Sequence, residues 1–161
     1  MTRAMVIELR EQAHRRPDGV ADDTVVAVGK LTEALEVVER ARGALYDFHQ
    51  LIGHADAMLD EAVVRLMAAG HPEMADLVVK DLIGRNVIEG RWTFQIVEDF
   101  DDTYWALFRH VERNVRNRLV DGSRHLLESE RKEERRTHGR RHHESRPAEV
   151  VVAGATVGNG P

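Results

Sequence analysis

Arg42, His49 and Asp56 recur at intervals of seven, with Leu35 and Val63 continuing the same column above and below them. On an α-helix that spacing puts all five on one face, so a cation, an imidazole and a carboxylate share a line. Such a column has two chemical uses. Set against apolar neighbours, it specifies the register of helix packing. Set against Glu98, Asp101 or His110 of a second helix, it binds a metal ion, with His49, Asp56 and His110 as the candidate ligands. The plainer expectation is a solvated Arg–His–Asp ladder along the edge of a packed seam, with no metal or other cofactor. His54 lies off this face, five residues from His49, so the two histidines make no ligand pair.

Other clusters carry less. A carboxylate-bridged di-metal centre needs two Glu-x-x-His pairs, and this chain has one, Glu11 with His14. The acidic run Glu98-Asp99-Phe100-Asp101-Asp102 lacks the glycine and ligand spacing of a calcium loop. It reads as a solvated helix face, or as the cap of a helix starting at Thr103. His138 and His142, with His143, have helical spacing for a transition metal, but Gly139 and the surrounding arginines oppose a formed site. There is no cysteine, which excludes disulfides, thiolate zinc sites and cysteine nucleophiles. No Gly-x-Ser-x-Gly and no phosphate-binding glycine loop is present. The expectation is a non-enzymatic protein.

Charge narrows the partners. Residues 22–121 hold 11 basic and 19 acidic groups, while residues 122–147 hold 8 basic and 5 acidic. The body therefore repels phosphate backbones. The basic tail has acids interleaved and no aromatic for base stacking, so nucleic-acid binding through it is only an alternative. No secretory leader and no bilayer-length apolar run is legible, so the expected location is cytoplasmic.

The elements that must position these groups are helices. Leu31, Val38, Leu45, Ile52, Leu59 and Leu66 fall at strict seven-residue intervals. Three residues after each of the first five come Ala34, Ala41, Phe48, Ala55 and Ala62. Two apolar columns so related make one stripe along a helix, and a seam of that length requires a partner surface. Leu31, Val38, Leu45, Phe48, Ile52, Leu59 and Leu66 are the interaction residues it nominates. Asp22, Asp23 and Thr24 offer an N-terminal cap, and Gly70-His71-Pro72 a stop. The register passes Gly53 without a phase change, so the helix is expected to be continuous there rather than kinked.

Pro72 suits the first residue of a short helix over 72–83. After a loop at 85–90, with Val87 and Ile88 tucked onto the body, helical spacing resumes from Ile96 to Leu119. A strand at Trp92, Phe94 and Ile96 is the weaker alternative. Composition agrees with helices: 42% apolar, 32% charged and 5% aromatic.

The expected fold is all-α: an elongated antiparallel helical hairpin of a long helix (24–69), a short helix (72–83) and a second long helix (92–127). A flexible arm, 1–21, precedes the helical domain, 22–127, and a charged, disordered tail, 128–161, follows it. The expected function is a helical interaction or adaptor protein that acts through a coiled-coil-like seam. Its partners would be a second copy, in a four-helix bundle, and an unidentified protein. A metal-binding or redox bundle is the alternative from another class.

Overall fold

The computed structural model describes residues 14–144, and every regular element among them is helical. In chain order these are α1 (Asp22–Ala68), α2 (Pro72–Asp81), α3 (Thr93–Phe100), a π-helical turn (Asp101–Trp105), α4 (Ala106–Val120) and α5 (Leu126–Arg135). The chain is all-α. No helix among the described residues is long and apolar enough to cross a membrane. Two units are distinguished, residues 16–123 and residues 14–15 with 124–144. What was expected of residues 1–13 and 145–161 lies outside the described residues.

In the first unit, α1 is one unbroken helix of 47 residues, about 70 Å at 1.5 Å per residue. Its N-cap is Ala21, not one of the three polar residues that follow. Asp22 and Asp23 instead occupy the first turn, where acids favour the positive end of the helix dipole, and Arg16 pairs with Asp22. The other end closes as the sequence suggests. Gly70 takes φ +82°, its N–H donates to Met67 at 3.1 Å, and His71 N–H reaches Leu66 at 2.9 Å. Those two reversed bonds satisfy carbonyls that a helix end would otherwise leave bare. Pro72 then opens α2. Gly43 and Gly53 sit inside α1 with open space where a Cβ would be, so neither a break nor a close backbone neighbour accounts for them.

The second arm follows the expectation at its start and corrects it at its end. Residues 92–96 are not a strand: α3 begins at Thr93, and Gln95 Oε1 accepts the Trp92 N–H at 2.9 Å. The arm stops at Val120 rather than running to 127. Asp121 and Gly122 both adopt left-handed backbone, φ +51° and +74°. Arg116 secures that exit twice, its carbonyl accepting the Gly122 N–H at 3.1 Å and its Nη1 donating to the Gly122 carbonyl at 2.7 Å. In the loop between α2 and α3, Val87 is half-buried but Ile88 is exposed.

Along the hairpin the buried apolar residues are few: Val25, Val28, Ala75, Val97 and Val120. Two packed helices enclose little volume, and as many large apolar side chains of the hairpin are exposed as are half-buried.

In the second unit, residues 126–135 are helical where a disordered tail was expected to begin at 128. Glu133 accepts from Arg136 at 2.5 Å and pairs with Lys132 at 3.3 Å. Those cations hold the Glu133 carboxyl below its ordinary value, Arg136 contributing most. The helix ends before His138, and Gly139 and His142 both have positive φ, so the His138–His142 spacing is not helical.

Candidate interaction surface

One flank of α1 carries the polar column, and each member reaches a different part of the same unit. Arg42 donates from Nε to Asp101 Oδ1 and from Nη2 to Oδ2, both at 2.7 Å, a two-pronged pair. Tyr46 donates its hydroxyl to Oδ2 at 2.8 Å and accepts from Arg42 Nη2 at 3.0 Å. The Arg42 guanidinium, aided by Tyr46, holds the Asp101 carboxyl below the usual carboxylate range. The same carboxylate raises both Arg42 and Tyr46 above their ordinary values. His49 Nδ1 lies 2.7 Å from Oγ1 of Thr93, a buried residue at the head of α3. Asp56 Oδ1 accepts the Gly84 N–H at 3.0 Å, fixing the left-handed turn after α2.

Thr32, one position round the helix, stands 3.2 Å from Glu112 Oε1. Glu112 is buried and held by Arg116 Nε at 2.9 Å. Partners therefore rise in number along the second arm as they fall along α1: 84 with 56, 93 with 49, 101 with 42, 112 with 32. The hairpin is antiparallel.

The π-helical turn explains how one column of the second arm stays in reach. In an α-helix, residues four apart overshoot a full turn by about 40°. Thr93, Val97, Asp101 and Trp105 are successively four apart, and that column would wind away from α1. A turn of i→i+5 bonding at 101–105 takes up the excess locally. Asp101 and Trp105 are both left facing Arg42, whose guanidinium lies 4.3 Å from the Trp105 ring centroid, with Arg109 4.5 Å from the same ring. Phe100, Tyr104 and Phe108 continue the arm as an aromatic row, with centroids 5.8 and 6.0 Å apart.

The residues nominated as metal ligands are not brought together. His49 meets Thr93, Asp56 meets Gly84, and His110 is 2.8 Å from Asn114 on its own helix. Among the described residues they form no common ligand group. Of the Glu-x-x-His pair, Glu11 lies outside the described residues, and His14 Nδ1 is 3.0 Å from the Arg124 carbonyl.

The nominated seam is split by depth. Leu31, Val38, Leu45, Ile52, Leu59 and Leu66 are all half-buried, while Ala34, Ala41, Phe48 and Ala55 of the companion column are exposed. Beside that column runs a second one, Val37, Ala44, Leu51 and Met58, also exposed, with Leu51 at 66% and Met58 at 61%. Merged, the two give apolar residues at every 3–4 step from Ala34 to Ala62, nine positions without a polar interruption. The signal for Val37, Ala44, Leu51 and Met58 was in the sequence: each follows a companion-column residue by three. What hid it was the stronger leucine column beside it. Tyr46 and Trp105 had no such signal, and the spacing named Asp101 only among three possible partners of the polar column, because their meeting depends on how the arm winds.

Comparison of this chain with family models, with curated proteins and with solved structures returns no match, so its reading rests on its own geometry.

Proposed function

We propose that this is a non-enzymatic helical interaction protein whose docking surface is the open apolar face of α1. The observation that carries it is the unbroken 3–4 repeat from Ala34 to Met58, exposed on a helix whose opposite flank is pinned by four hydrogen-bonded contacts. A continuous exposed apolar patch on a helix is costly to leave wet and marks a surface for association. The division of labour is physical. Arg42, His49 and Asp56 make the hairpin rigid, so the face is presented ready-formed and little ordering entropy opposes docking. The partner is a second copy of the chain, two hairpins associating as a four-helix bundle, and a further protein can engage the bundle. The charged body, with its acidic excess, turns nucleic acid away, and the reading places the protein in the cytoplasm.

The test is sedimentation equilibrium of the full chain at micromolar concentration, beside Leu51→Glu. Leu51 is 66% exposed, so the charge leaves the hairpin folded, which circular dichroism verifies. The expected result is twice the chain mass for the natural sequence and the single-chain mass for the variant. A natural chain that sediments as a monomer overturns the reading.

A further inference from the structure

Resting on that reading, we propose that the second copy lies antiparallel on the open face of α1, with the two-fold axis beside Gln50. Size and charge point to the same register. In it, Met58 of one copy meets Ala41 of the other, Val37 meets Ala62, Ala44 meets Ala55, and Phe48 meets Leu51. The largest side chains thus gather at the axis, and Val37 and Met58 each face an alanine, so paired volumes vary less from layer to layer than in a parallel pair. A parallel pairing would stack Met58 on Met58 and Ala41 on Ala41, alternating bulges with gaps.

The flanks decide between registers. On one flank of the stripe run Glu33, Arg40, Asp47, His54 and Glu61, all exposed. In an antiparallel pair this column faces its own copy. With the axis beside Gln50, Arg40 stands against Glu61, and Asp47 against His54. Glu61 takes both of its Arg65 contacts on Oε1, at 2.8 and 2.5 Å, which leaves Oε2 as an acceptor for the incoming Arg40. Sliding by one heptad moves the axis to Asp47, sets Asp47 against its own copy and puts Glu33 against Glu61. Like charges so placed oppose that register. On the other flank Leu45 meets Ile52 and Val38 meets Leu59, covering the exposed halves of residues the hairpin leaves half-buried. A parallel pair would instead press Arg40 and Asp47 onto those aliphatic residues.

The chain has no cysteine, so one introduced thiol is a unique label. Spin labels are placed at Gln50→Cys and, separately, at Val64→Cys, both at exposed positions of α1, and label-to-label distances within the dimer are measured. The expected result is a short distance at 50, under about 20 Å, and a long one at 64, about 43 Å along the axis at 1.5 Å per residue. Short distances at both positions mean a parallel pair and overturn the inference while leaving self-association standing. About 54 Å at 64 means the slipped register and overturns it too. A monomer with no dipolar coupling overturns the inference and the proposed function together. Charge reversal supplies an independent check: Arg40→Glu is expected to weaken dimerisation by roughly three- to tenfold, and adding Glu61→Arg to restore it. Stronger association of Arg40→Glu alone overturns the register.

Discussion

Asp101 takes two hydrogen bonds from Arg42 and one from Tyr46, and it sits at the first position of the π-helical turn. Its carboxyl is held below the usual 3.8 by those donors, chiefly Arg42. A depressed acid contributes stability that is fully present above the unfolded value and is lost as pH falls through the folded one. Urea melts are therefore expected to show the natural chain losing stability below about pH 4 more steeply than Asp101→Asn. Equal slopes would refute the coupling. Tyr46 acts with the opposite sign, since its hydroxyl is raised above 10.0 by bonding to Asp101. Its contribution holds below pH 10 and disappears as pH climbs through the raised value.

At the level of elements, α1 is legible almost to the residue, while the second arm is not. A 47-residue helix with a seven-residue repeat, acids in its first turn and Gly-x-Pro beyond its last announces itself. Its interior glycines then stand out. Neither Gly43 nor Gly53 has a neighbour within 4 Å of a built Cβ. Gly53→Ala is accordingly expected to stabilise the fold by about 1 kcal/mol, the helix-propensity difference, read as a raised melting temperature. A loss of stability would mean that some partner approaches there. The second arm gave weaker signals because its inward face departs from 3.6 periodicity at the π turn, and its end is set by Asp121 and Gly122 with Arg116. In sequence, Asp121-Gly122-Ser123 admits either a stop or a helix running on through Leu126 and Leu127.

At the scale of the whole molecule, the hairpin leaves one side of α1 covered and the other open, and the proposed association rests on that asymmetry. If folding and pairing are linked, the melting temperature must rise with protein concentration, because only the folded chain presents the face. A rise of several degrees over a hundredfold concentration range is expected for the natural chain, and none for Leu51→Glu. Differential scanning calorimetry at two concentrations checks it.

Periodicity alone determined the all-α class, the length of α1, its stop at Gly70 and the existence of an unsatisfied apolar stripe, because each is a local property of spacing and backbone chemistry. It also placed Arg42, His49 and Asp56 on one line. Only the tertiary structure decided that this line faces the second arm at Asp101, Thr93 and Gly84, and that Ala34, Leu51 and Met58 face outward. The reason is that a stripe covering more than a third of a helix has two flanks. Which one a folded-back chain occupies depends on pairwise contacts between residues about 30 to 80 apart, and no window along the sequence contains both partners.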